Sequence, residues 1–257
     1  MTVRDFTPIA DSLRRSVIQF YAESGEVLEG AAGLNTLETN SGFVERRGEP
    51  LLEMLRRSTG VSSIEGLRLL DLGCGFGALS AFFAGRGASV TGIDPIESRL
   101  DVGRSVAAEH NLPVEFLPGR MEGLDLPDRS FDIAVQNNSL CYIVSDEDRQ
   151  AALRETARVL VPGGRVIIRN PNRWSPRDQF TGLPFIQLLP ARQATSLAES
   201  LGRPRSFVRL TSPPEAAREL RHAGFENVTL VASPASRWPS FLKHLARYQH
   251  LTARRPA

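Results

Sequence analysis

Between Leu67 and Asn170 short apolar runs alternate with longer stretches whose apolar residues recur at helical spacing. The runs predict strands over 67–72, 88–93, 113–117, 131–136 and 164–169, and the stretches predict helices over 78–86, 96–110 and 147–160. Short runs bounded by Gly, Pro or Asp read as buried strands, and stripes with a period near 3.6 read as helices packed on them. Strands that alternate with helices in this way imply an α/β fold, a parallel sheet with helices on both faces. Upstream, Ile9, Leu13, Val17, Phe20 and Tyr21 share one stripe and predict an amphipathic helix over 8–24. A second helix is expected over 43–58 with Leu51, Leu52 and Leu55 as its apolar face; between the two, 25–40 has no period and reads as a mobile loop. Downstream, Leu220 to Val231 reads as a helix end, a turn at Gly224 and a further strand.

The junction of the first strand and first helix of this alternation is the most informative stretch. Leu69-Leu70-Asp71-Leu72 runs into Gly73-Cys74-Gly75-Phe76-Gly77, and Ala78 opens a helix. Alternating glycines permit unusual torsions and remove side chains, so a ligand is able to lie directly on the backbone. Asp94 follows Gly77 by 17 residues and closes the second strand, where an acid is placed to accept hydrogen bonds from both hydroxyls of a ribose. An adenosine-containing ligand is the expectation. The glycines alone also satisfy the dinucleotide fingerprint G-x-G-x-x-G/A. Asp71 tilts the choice: its carboxylate repels a pyrophosphate and attracts a cationic ligand end such as an ammonium.

Two later segments complete a pattern: 123–135, which contains Leu126-Pro127-Asp128-Arg129-Ser130-Phe131-Asp132, and 158–166, which contains Pro162-Gly163-Gly164. With the glycine loop, in this order, they resemble the class I S-adenosylmethionine (SAM)-dependent methyltransferases, in the small-molecule branch that includes the ubiquinone-biosynthesis enzymes. The resemblance spans about 67–170, with a weaker echo at 223–228. It implies a three-layer Rossmann-like methyltransferase sheet, SAM as cofactor, and transfer of a methyl group to a small-molecule acceptor, on oxygen by family likeness. Asp71, Gly73, Gly75 and Asp94 are then the cofactor-holding residues. The adenine edge is met in such enzymes after the third strand, often by an acid; here Gly119-Arg120-Met121-Glu122 stands there. Arg120 is unable to accept from the adenine amino group, which leaves Met121 to pack on the ring and Glu122 as the nearby acid. Asn137, in Gln136-Asn137-Asn138 at the end of the fourth strand, is expected beside the reacting methyl, because open parallel sheets bind ligands at the carboxyl ends of their strands.

Composition narrows the class. With 257 residues, 41% of them hydrophobic, the chain has enough for one substantial core and a small addition. A net charge of +2 does not by itself point to nucleic acid. Cys74 and Cys141 are the only cysteines, show no metal spacing, and suit a reducing cytoplasm. No apolar run reaches a membrane span and the first residues have no signal-peptide pattern, so a cytoplasmic protein is expected. The reading divides the chain into a helical N-terminal extension (1–60) and a methyltransferase domain (61–257) with an insertion at 171–214. That insertion carries Trp174, Phe180, Phe185 and several leucines, and long insertions with apolar residues are usually lids or binding loops. An apolar, lipid-like or glycosylated acceptor follows from it. The tail 238–251 places Phe241, Leu242, Leu245 and Tyr248 at helical spacing among basic residues, which reads as a basic amphipathic helix, and no final strand is evident. No catalytic base is marked. His110 and His222 stand at helix ends, whereas Tyr142, Arg173 and Asp178 lie in loops above the strand ends. The rival classes are an NAD(P)-dependent oxidoreductase, a non-catalytic SAM-binding protein and an RNA methyltransferase.

Overall fold

The computed structural model describes residues 5–25, 37, 44–203, 207–231 and 245–257. Seven strands form one sheet in the order β3-β2-β1-β4-β5-β7-β6. The chain divides into two compact units, Met1–Arg120 with Phe131–Ala134, and Met121–Ser130 with Val135–Ala257.

The first unit holds α1 (Thr7–Glu23), α2 (Val44–Thr59), β1 (Arg68–Leu72), α3 (Ala78–Gly85), β2 (Ser89–Asp94), α4 (Glu97–Glu109) and β3 (Val114–Pro118), together with the opening residues of β4 (Phe131–Asn137). β1, β2 and β3 pair in parallel, with Leu72 beside Ile93 and Asp94 beside Pro118. All of α3 before its last residue is buried, as the unbroken apolar run Ala78–Ala84 requires. The N-terminal helices pack on this unit. Phe6, just before α1, stacks on Phe82 at 5.2 Å, and the Ser12 hydroxyl donates to Glu109 at 2.8 Å and lies 2.9 Å from His110 Nε2 at the end of α4. A Cβ on Gly48 would meet the Phe82 ring at 2.1 Å, so α2 lies against that ring only because residue 48 has no side chain.

The second unit holds the rest of β4, α5 (Asp146–Val159), β5 (Leu160–Pro171), α6 (Ala191–Ser200), α7 (Pro213–His222), β6 (Glu226–Leu230) and β7 (Tyr248–Arg254). Side chains within the described part of the insertion bond to its own backbone. Asp178 is buried and accepts from the backbone N–H groups of Phe180 and Thr181 and from the Thr181 hydroxyl, and Gln187 donates to the Ser175 carbonyl.

Two expectations are corrected. The sheet is mixed, not parallel throughout, because β7 runs antiparallel to both β5 and β6. The final strand exists, and it occupies the C-terminal part of the expected basic helix; 238–244 lie outside the described residues. Tyr248-Gln249-His250-Leu251-Thr252-Ala253-Arg254 shows no strand-like alternation of apolar and polar residues because it is covered on both faces and paired on both edges. One polar member is tied inside through its amide nitrogen: Gln249 Nε2 donates to both the carbonyl and the hydroxyl of Thr211 at 2.9 Å. Such burial and pairing override local propensity. The expected loop over 25–40 also lies outside the described residues, apart from Gly25 and Leu37.

Candidate functional site

Gly73, Gly75 and Gly77 turn the chain from β1 into α3 with φ of +75°, +57° and +79°, the left-handed region in which a side chain is strained. The loop is anchored to the end of β2: Gly73 and Cys74 donate their N–H groups to the Ile93 carbonyl at 2.8 and 3.0 Å. The three glycines serve different ends. A Cβ on Gly77 would lie 2.5 Å from the ring of Phe116, and one on Gly92 or Gly103 would lie 2.9 or 2.8 Å from it. Phe116 of β3 is therefore a wedge seated on three bare backbones. A Cβ on Gly75, in contrast, would meet nothing within 4 Å. Space over Gly75 is open.

Two carboxylates flank this loop. Asp94 Oδ2 accepts from Gly75 N–H at 3.0 Å and Oδ1 from Ile96 N–H at 3.1 Å, so the acid holds the open glycine in place while keeping further lone pairs. Asp71 is 1% exposed, and its Oδ2 accepts the Ser80 hydroxyl at 2.7 Å. Its charge acts on the loop from beneath. Burial raises the Asp71 pKa to about 6, against the lowering effect of Ser80 and with the Asp94 charge adding to the rise. Among the described residues neither acid is paired with a cationic side chain. The tip of the loop is covered by α1: Phe76 packs edge-on to Phe20 at 5.0 Å and near Tyr21 at 6.1 Å, with Arg99 over its ring at 5.6 Å.

The structure thus brings Asp71, Gly73, Gly75 and Asp94 together in the first unit. Met121, Glu122 and Asn137 belong to the second. Met121 and Glu122 are half-buried in the turn after β3, and Asn137 Oδ1 accepts from the Arg169 guanidinium at 3.1 Å. Gln136 is removed from the expected group at the end of β4: it is fully buried and donates to the Thr156 hydroxyl at 3.2 Å, as a core residue. Of the loop candidates, Asp178 is committed to its own turn, Arg173 lies 3.6 Å from Glu215, and Tyr142 is exposed. Burial pushes the Cys141 thiol up to about 12 and the Cys74 thiol well above its ordinary value, so neither is a ready nucleophile.

Sequence reasoning missed Ser80, Phe116 and Arg169. A hydroxyl nine residues after an acid, on the first helix turn beyond a glycine loop, is a weak signal. An arginine closing the apolar run Val166-Ile167-Ile168 is a stronger one, since a cation in a buried strand demands an explanation. Beside it in the β5–β7 pair, His250 has its pKa pushed down to about 3 by burial and by the Arg169 charge. Folded His250 stays neutral while the unfolded chain takes up a proton below about 6.5, so stability present above that pH should be lost as pH falls toward 3. The loss should approach roughly 1.4 kcal/mol per pH unit for this one proton. His250→Gln should flatten the pH dependence of urea midpoints between pH 6.5 and 4; an unchanged slope would mean that this imidazole is not the group responsible.

A family model described as a methyltransferase domain matches residues 69–164. A ubiquinone biosynthesis O-methyltransferase of Caulobacter sp. (strain K31) is 34% identical over 128 residues, covering 49% of this chain and 50% of that protein. One from Alkalilimnicola ehrlichii is 35% identical over 135 residues, covering 51% and 53%. The chain thus spans about half the length of these curated relatives. Among solved structures, a SAM-dependent methyltransferase from Mesorhizobium loti superposes with a TM-score of 0.59 at 24% identity over 81% of this chain and 99% of that one. The cyclase SpnF matches with a TM-score of 0.56 at 23% identity over 80% and 81%. At such identities the likeness establishes the fold. No helix among the described residues is long and apolar enough to cross a membrane.

Proposed function

We propose that this protein, whose residues 69–164 match a family model described as a methyltransferase domain, binds SAM on the glycine loop and transfers its methyl group to a small-molecule acceptor. The observation that carries the reading is the pair of buried acids, Asp71 and Asp94, around a loop with open space over Gly75 and no cationic side chain paired with either acid among the described residues. A pyrophosphate would be repelled there, whereas an ammonium or sulfonium would be attracted. SAM, when bound, supplies a methyl group already activated on a positively charged sulfur. The chain's task is then to orient two reactants and exclude water, and orientation is able to provide on the order of 7–11 kcal/mol of the barrier. Gly73 and Gly75 let the ligand approach the backbone, Asp94 offers its remaining lone pairs to a diol, and Asp71 supplies negative potential from beneath. Met121, Glu122 and Asn137 are assigned to the adenine and methyl ends of the ligand.

Oxygen is the proposed acceptor atom, supported by the names of the curated relatives. The exposed Trp174, Phe185, Leu188 and Leu189 of the insertion support an apolar acceptor and a lid role for 171–214. The cyclase neighbour shows that this fold also serves other reactions, so turnover has to be measured.

The direct test is calorimetry with SAM and NADH, followed by detection of S-adenosylhomocysteine. Asp94→Ala should weaken SAM by about 1.5–3 kcal/mol, roughly ten- to a hundredfold, through loss of charged hydrogen bonds and of the Gly75 tether. Tight NADH binding with none of SAM would sink the assignment. A second expected result concerns pH. Asp71 must be ionised to attract a cation, so as pH falls from 7 through about 6 to 5 SAM affinity should drop, by up to about tenfold per unit in the limit. Asp71→Asn should bind weakly at every pH in that range; if it reproduces the wild-type profile, another group titrates.

A further inference from the structure

Arg169 lies near the end of β5, in register with His250 of β7, and Tyr248 lies two residues away on the same face of that strand. Its guanidinium sits 3.4 Å above the centroid of the Tyr248 ring and donates to Asn137 Oδ1 at 3.1 Å. Burial lowers the Arg169 pKa; Tyr248 acts against that through its charge and a side-chain hydrogen bond, and the cation Arg247 adds a smaller lowering. His250, alongside, is neutral, and Arg247 itself donates to the Gln179 carbonyl at 3.0 Å. Among the described residues no carboxylate pairs with Arg169, although the other deeply placed arginine of this unit, Arg149, has a two-pronged acidic partner. A guanidinium taken from water is costly unless its charge is balanced, and one ring and one amide oxygen do not balance it. Arg169 is nevertheless only partly covered, so its remaining N–H groups stay within reach of a ligand.

We propose that Arg169, framed by Asn137, Tyr248 and His250, is an anion subsite that takes a carboxylate of the methyl acceptor. The inference rests on the methyltransferase reading and narrows its substrate class to apolar acids. A planar carboxylate matches the two-pronged guanidinium fork. Tyr248 fixes the plane of that fork from one side and Asn137 its rotation, so the group arrives at a prepared donor pair. With His250 neutral, the subsite has a cation suited to a single negative charge.

The test compares benzoate with benzamide, which share shape and differ in charge, by calorimetry on the full chain, with inorganic phosphate as a third probe. Benzoate should bind the wild type at least about tenfold more tightly than benzamide. That ratio should fall to about one in Arg169→Met and stay intermediate in Arg169→Lys, which keeps charge without the fork. Equal binding of benzoate and benzamide by the wild type, or no benzoate binding, overturns the subsite without reference to any variant. Phosphate binding more tightly than benzoate overturns the carboxylate assignment. S-adenosylhomocysteine binding to the same preparation separates the two readings. If it binds and benzoate shows no preference, only the subsite falls; if it fails to bind while the benzoate ratio holds, the methyltransferase reading falls and the anion site stands.

Discussion

Gly75→Ala should remain folded and lose SAM binding, whereas Gly77→Ala, two residues on, should lose stability. Both positions have positive φ, so each alanine carries a left-handed strain of roughly 1–2 kcal/mol. Their surroundings then separate them. The new methyl at 75 meets no protein atom within 4 Å and enters only the space a ligand would use. The one at 77 falls 2.5 Å from Phe116, whose ring is already hemmed in by Gly92 and Gly103 and has nowhere to withdraw. Overpacking of that kind adds about 1–3 kcal/mol. Thermal unfolding and calorimetry on both variants give a crossed pattern: a modest fall in melting temperature with at least about tenfold weaker SAM for Gly75→Ala, and a clearly larger fall in melting temperature for Gly77→Ala. Wild-type SAM affinity in a folded Gly75→Ala protein would mean that the ligand does not approach the loop at all.

Arg149→Met should be among the most destabilising single changes in the second unit. Arg149 is 1% exposed, grips both oxygens of Glu219 at 2.7 and 3.2 Å, and donates to the Leu140 carbonyl at 2.6 Å. It thereby joins α5, α7 and the turn that follows β4. Removing it leaves Glu219 with Arg209 alone, at 3.1 Å, and leaves the Leu140 carbonyl with only the Ile143 N–H, at 3.2 Å. Breaking such a pair from one side costs about 3–5 kcal/mol, because the remaining charge stays buried. Arg149→Met combined with Glu219→Leu should recover a good part of the loss, since the acid that had lost its main partner is gone and Arg209 keeps Asp146 at 2.7 Å. A single variant that melts with the wild type would show the pair to be dispensable.

The glycine loop, its two acids and the strand–helix alternation around them could be read from the sequence because each is a local pattern. Left-handed glycines follow one another between an apolar run and a helix, and an acid closes each of β1 and β2. The expected strands and helices from 67 to 160 agree with the observed ones to within a few residues, the end frayings that local signals never fix. The expected helices at 8–24 and 43–58 are α1 and α2, but nothing in their stripes said that Phe20 and Tyr21 would close over Phe76.

The tail shows the opposite case. Phe241, Leu242, Leu245 and Tyr248 fall at helical spacing, yet Tyr248 onward is a strand held between β5 and β6. Gln136 reads from sequence as one of three amides at a strand end, but the pleat turns it inward to Thr156 and leaves Asn137 to meet Arg169.

What the sequence by itself determined, then, is the α/β alternation and the place of the glycine loop, because period, glycine torsion and charge are properties of neighbours along the chain. What only the tertiary structure decided is which glycine is open and which is filled by Phe116, that Ser80 meets Asp71, that β7 is an interior strand between β5 and β6, and that Arg169 meets Asn137 and Tyr248. Each of these depends on residues brought together from distant parts of the chain, and on burial that turns an ordinary side chain into a wedge, a shifted acid or a cation with no carboxylate partner among the described residues.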